Sequence, residues 1–82
     1  MSNQQKPVTV FWRPGCGFCA RLFSGLEGTD IAFERRNIWD DPDAAAYVRS
    51  VANGNETVPT VKIGRKTLVN PSVAAIASAA SD

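Results

Sequence analysis

Val8-Thr9-Val10-Phe11-Trp12-Arg13-Pro14-Gly15-Cys16-Gly17-Phe18-Cys19 changes character twice along its length. Residues 7–12 are apolar on both alternations, the pattern of a strand at the centre of a sheet covered by helices on both sides. Pro14-Gly15 then breaks the strand. From Gly17 the apolar positions Cys19, Leu22, Phe23 and Leu26 recur at i, i+3, i+4 and i+7, one face of a helix. Gly28 is its expected stop. Two thiols three positions apart therefore stand at a strand-to-helix junction, where the pair reads as a site of reversible thiol–disulfide exchange. Cys19 falls on the buried stripe, and Cys16 precedes it at the helix start, within reach of solvent.

The two sulfurs are expected to differ. The first amides of a helix have no carbonyl partner within it, and the helix carries a partial positive charge there. Both effects favour a thiolate on Cys16, and Arg13 adds a full positive charge nearby. Cysteines in such settings have pKa values of about 3.5–7.5, against about 8.5 when free. A stabilised thiolate is also the better leaving group, and it makes the disulfide easier to reduce. Burial disfavours the charged form of Cys19. Cys16 is thus expected to attack and Cys19 to resolve. Gly17 leaves the approach to Cys16 open, and Phe18 offers an apolar contact surface beside it.

The rest of the chain predicts a small α/β domain. Residues 31–38 suggest a second strand whose charges mark a sheet edge. Asp41-Pro42 supplies an acidic N-cap followed by proline, opening a helix whose apolar residues are Ala44, Tyr47, Val48, Val51 and Ala52. Asn53-Gly54 ends it. Residues 59–63 and 66–69 form an antiparallel pair around Gly64-Arg65. Asn70-Pro71 should open the last helix by the same cap-then-proline logic, with Val73, Ile76, Ala77 and Ala80 on its apolar face. The order is βαβαββα, with a parallel first crossover. Trp12 reads as a packed strand end and Trp39 as core or helix-cap packing. Arg35 and Arg36 read as a solvated edge.

Composition narrows the function. The 82 residues make one domain, 44% hydrophobic, with a net charge of +1. That charge gives no reason to expect nucleic acid or a membrane surface. The polar stretch 1–6 is expected to be a disordered or loosely held tail and lacks the apolar centre of a secretory signal. A cytoplasmic protein is therefore expected, and in a reducing compartment a Cys-x-x-Cys pair is catalytic or metal-binding rather than a staple. The chain has no histidine, which removes Cys–His catalysis and every histidine-containing zinc site. A four-thiolate zinc site would need a second copy of the chain, and a dimeric zinc module is the alternative from another functional class.

Thr57-Val58-Pro59 is a second signal, since proline loses little at a strand start. Together, Arg13-Pro14-Gly15-Cys16-Gly17-Phe18-Cys19 and Thr57-Val58-Pro59 resemble the active-site segment and the Thr-Val-Pro loop of glutaredoxins, in the thioredoxin superfamily. The likeness runs from Val8 to about Ala80. It implies a thioredoxin-like fold with a four-stranded mixed sheet and helices on both faces, and a cis proline facing the nucleophile. It also implies that the Val58 main chain pairs with the backbone of a bound thiol or peptide. The glycine between the cysteines, the stretch from Val51 to Val61 and the turn Thr67-Leu68-Val69-Asn70-Pro71-Ser72 are similar to actinobacterial mycoredoxins. That turn replaces the Gly-Gly and Asp with which glutathione-using relatives hold their thiol.

The resemblance implies a monomer that reduces mixed disulfides between proteins and a low-molecular-weight thiol. Mycothiol, or else glutathione, would be its co-substrate, and no cofactor is tightly bound. Its expected residues are Cys16 and Cys19 for catalysis, with Arg13, Phe18, Thr57, Val58, Pro59, Asn70 and Ser72 for thiol binding. Capping of the last helix alone also explains Asn70, Pro71 and Ser72. The alternative within the same class is a redoxin serving ribonucleotide reductase and recharged by a flavin-dependent disulfide reductase of the thioredoxin reductase kind.

Overall fold

The computed structural model describes residues 5–81. Strand β1 (Val8–Trp12) leads into helix α1 (Gly17–Glu27), then β2 (Glu34–Asn37), α2 (Pro42–Val51), β3 (Thr60–Ile63), β4 (Lys66–Val69) and α3 (Val73–Ser81). The strand order in the sheet is β2-β1-β3-β4, with β1 and β2 parallel and the other pairs antiparallel. The apolar β1 thus lies inside the sheet and the charged β2 at its edge, as their patterns require.

Alternation along β1 feeds two apolar layers. Val8 and Val10 join Leu22, Phe23 and Leu26 of α1, Val61 and Ile63 of β3, and Ile76, Ala79 and Ala80 of α3. Phe11 points the other way and meets Ile38 with Ala44, Ala45 and Val48 of α2. Helices α1 and α3 therefore cover one face and α2 the other. Gly64 opens the β3–β4 turn with φ +57°, a backbone state that glycine adopts without steric cost.

Several details depart from expectation. The second strand starts at Glu34 rather than near residue 31, because other partners take the preceding backbone. The Ile31 amide donates to Thr29 Oγ1 (3.1 Å), and the Ala32 amide and carbonyl pair with the Gln5 side chain at 3.0 and 2.8 Å. Gln5 and Lys6 are accordingly not a loose tail, since Lys6 N–H also donates to Ala80 O at 3.1 Å. The remainder of that expectation, residues 1–4, lies outside the described residues. On α2, Asp41 caps as predicted, accepting the Ala44 N–H at 3.1 Å, but Val51 is exposed at the last turn. On α3 the buried positions include Ala79, whereas Ala77 faces outward. Among the described residues no helix is long and apolar enough to cross a membrane.

Candidate active site

The end of β1 places Arg13, and Pro14-Gly15 then turns the chain. Gly15 has φ +80°, where a side chain would be strained. The turn makes Cys16 the N-cap of α1, with extended backbone (φ −91°, ψ 107°). Its carbonyl accepts the Ala20 N–H at 3.1 Å, and its Sγ accepts the Cys19 N–H at 3.2 Å. N-cap positions usually carry a side-chain oxygen for this purpose. Here sulfur replaces it, so a first-turn amide that would lack a helical partner is directed at the Cys16 sulfur.

Cys16 is partly exposed, whereas Cys19 retains 1% of its accessible surface. Burial pushes the Cys19 thiol up to about 12 from an ordinary value of 9.0. Its contact with Cys16 acts in the same direction, and the Arg13 backbone offsets part of the effect. Cys19 is thus held as a neutral thiol one helical turn behind Cys16.

Across from Cys16 runs the loop into β3. The Val58–Pro59 peptide bond is cis, and the Cys16 thiol donates to the Val58 carbonyl at 3.7 Å. Thr57 O accepts the Thr60 hydroxyl at 2.7 Å. Pro59 is buried, and its carbonyl accepts the Asn70 N–H at 2.7 Å. These contacts link Cys16 to Val58 and, through the buried Pro59, to the Asn70 backbone. Asn70 itself has φ +53°, and the cap of α3 is Ser72, not Asn70. Ser72 Oγ accepts the Ala75 N–H at 3.1 Å, and Ser72 O accepts the Ile76 N–H at 3.1 Å. A left-handed residue cannot supply the extended backbone of a cap, which moves the cap past Pro71.

A cleft of about 160 Å³ opens beside the cysteines, walled by Trp12 and Phe23 and rimmed by the guanidinium groups of Arg13 and Arg35. Trp12 packs edge-on against Phe23 with ring centroids 5.8 Å apart, the packed strand end that was expected. The arginines of β2 lie on the solvated sheet edge that was expected, and both are paired there. Arg35 lies over the Phe23 ring at 4.2 Å and pairs with Glu27 at 2.6 Å. Arg36 forks onto Asp41 Oδ2 through Nε (2.9 Å) and Nη2 (2.6 Å). Trp39 departs from expectation. It is neither core nor cap packing but 63% exposed, with the Arg13 guanidinium 5.6 Å from its ring centre. Phe18 is 62% exposed on the first turn of α1, with Arg21 one turn on at 6.0 Å from its ring. Arg21 and Trp39 escaped the sequence reading of the site because each looks like an ordinary surface or packing residue until its stacking partner is known.

The Glutaredoxin family profile matches residues 8–68. A Mycobacterium tuberculosis protein named "Putative glutaredoxin Rv3198A" is 42% identical over 66 residues, 79% of each chain. Mycoredoxin 1 of Corynebacterium glutamicum is 34% identical over 77 residues, covering 93% of this chain and 90% of that protein. Among solved structures, the thioredoxin-like protein BC3987 superposes with a TM-score of 0.75 at 18% identity, over 88% of this chain and 97% of that one. The fold is therefore thioredoxin-like. Since the family match takes in both cysteines, the Val58–Pro59 loop, strands β1 to β3 and most of β4, the chain belongs to the glutaredoxin family and is a thiol–disulfide oxidoreductase.

Proposed function

We propose that this protein reduces mixed disulfides between proteins and a low-molecular-weight thiol, with mycothiol as the preferred co-substrate. The observation that carries the reading is the asymmetry of the pair: a reachable Cys16 sulfur accepting the Cys19 amide, and a Cys19 thiol buried and kept neutral. Cys16 thiolate attacks the small-thiol sulfur of the mixed disulfide. That S–S bond breaks, a Cys16–small-thiol disulfide forms, and the protein thiolate leaves and takes a proton from water. A second small-thiol thiolate then attacks the adduct, releasing Cys16 and an oxidised small-thiol dimer. Cys19 is the resolving thiol of a side route: deprotonated, it attacks Cys16 Sγ of the adduct, the Cys16–small-thiol bond breaks, and the small thiol leaves as the Cys16–Cys19 disulfide forms.

In this reading Val58 offers its main chain to the bound thiol beside Pro59 and Thr57, in the manner of strand addition. Arg13 lines the cleft beside the sulfur, and Phe18, Asn70 and Ser72 take up the more distant parts of the bound thiol. Mycothiol is favoured because the chain resembles Mycoredoxin 1 and carries Asn70-Pro71 in the turn after β4. The protein works as a monomer in the cytoplasm, where the dithiol is kept reduced. The test is turnover of a labelled mixed disulfide with mycothiol, glutathione or thioredoxin reductase supplied in parallel. Mycothiol should support the fastest turnover. Cys16→Ser should abolish turnover and Cys19→Ser should leave most of it; equal loss in both variants would refute the monothiol route.

A further inference from the structure

Among the described residues, the salt bridges join Arg35 to Glu27, Arg36 to Asp41 and Arg49 to Glu56. Arg13 and Arg21 enter none of them. Each instead lies over an exposed aromatic ring, Arg13 over Trp39 at 5.6 Å and Arg21 over Phe18 at 6.0 Å. Phe18 and Trp39 are the exposed aromatic side chains of the described surface. Arg13, Phe18 and Arg21 flank Cys16 in the chain, and the contact with Arg13 brings in Trp39 from just beyond β2. Phe18 and Arg21 are one turn apart on the helix that Cys16 caps, and Arg13 lines the same cleft as Cys16.

Stacking on an aromatic face holds a guanidinium in place without consuming its charge, because the ring contributes a quadrupole and no counter-ion. Arg13 Nη1 donates to the Pro14 carbonyl at 3.2 Å, which fixes the group without neutralising it, and the other N–H groups stay available for a carboxylate. Pairing these cations with carboxylates of the chain itself would have cancelled both properties.

We propose that the Arg13–Trp39 and Arg21–Phe18 pairs form a docking rim for the protein half of the substrate, and that it selects target cysteines flanked by aspartate or glutamate. The assignment rests on the mixed-disulfide reading above. Acidic flanks meet the two guanidinium groups while the aromatic faces cover apolar parts of the segment. The effect falls on encounter and docking, since rim charges act mainly on association.

The test uses two peptides of identical length, each joined through one cysteine to the same small thiol, with either aspartates or lysines around the cysteine. Reduced full-length protein is mixed with each peptide in single turnover, and released peptide thiol is quantified after an acid quench. The acidic peptide should react about tenfold faster at low salt, since two exposed charge pairs contribute about threefold each. The ratio should fall towards one at high ionic strength. Arg21→Gln should lower the acidic-to-basic ratio about threefold, and Trp39→Ala, by releasing Arg13, should lower it in the same direction. Equal rates for both peptides, or a ratio unmoved by Arg21→Gln and Trp39→Ala, would overturn the docking rim while leaving the mixed-disulfide reading intact. Failure to release either peptide faster than Cys16→Ser protein would instead overturn the mixed-disulfide reading.

Discussion

Cys19 serves Cys16 through its backbone and waits behind it with its side chain: its N–H donates to Cys16 Sγ at 3.2 Å while its own sulfur is sealed from water. The amide contribution survives replacement of the Cys19 side chain. Only the resolving function depends on the second sulfur, which is the structural reason for expecting the two single variants to behave differently.

The same arrangement predicts selective alkylation. At pH 8 iodoacetamide should modify Cys16 more than about tenfold faster than Cys19, because the thiolate is the reacting species and Cys19 is both buried and protonated. Fragment-ion mass spectrometry of the labelled protein would locate the modification. Comparable labelling of both sulfurs in folded protein would contradict the buried position of Cys19.

Cys19 also sets an alkaline limit on stability. Unfolded, it loses its proton near 9.0; folded, it holds the proton to about 12. The folded state binds the proton more tightly in that window, so this contribution is complete below about pH 9 and is lost as pH rises towards 12. Urea unfolding of reduced protein between pH 8 and 10.5 should show a falling midpoint. Cys19→Ala should be less stable throughout and should show a shallower decline.

Gly25 of α1 lies directly against Val73 of α3. A Cβ built there would lie 2.7 Å from Val73 Cγ2. Alanine normally favours a helix interior over glycine by roughly 0.5–1 kcal/mol. Here Gly25→Ala should instead destabilise the protein by about 1–2 kcal/mol, because a β-branched neighbour cannot rotate away freely. Adding Val73→Ala should recover stability relative to Gly25→Ala alone. A stabilised Gly25→Ala protein would show that the helices separate easily.

Asp41 joins two tasks, capping α2 and pairing with Arg36. The Arg36 fork, followed by the Ala44 amide, holds its carboxyl below the usual carboxylate range. The folded state therefore favours the ionised form, and this contribution is present above the ordinary aspartate range and lost as pH falls through the depressed value. Asp41→Asn keeps a capping oxygen and should be the milder change, while Asp41→Ala loses both partners. Denaturation midpoints at pH 7 and pH 3 would separate the two roles, since Asp41→Asn should remove this residue's acid sensitivity and leave the cap.

The elements that carry strong periodic burial were legible from the chain. The α1 stripe of Cys19, Leu22, Phe23 and Leu26 is buried throughout, and the two-sided apolar β1 is central. The position of Cys16 at the helix start was readable for a related reason: a strand, a break and a helix leave few places for it. What escaped depended on partners distant in sequence. Gln5 occupies the backbone of Ala32 and shortens β2, which no local pattern encodes. The α3 cap moved to Ser72 because Asn70 took a left-handed backbone against Pro59. Trp39 looked like packing because an indole usually is, yet it lies exposed beneath Arg13, a partner distant in sequence.

Val58 packs against both apolar layers at once, while its carbonyl faces the nucleophile. The two apolar layers thus meet at the residue whose carbonyl faces the Cys16 sulfur. Loosening either layer beside Val58 should shift that carbonyl, so turnover is expected to double as a gauge of core integrity.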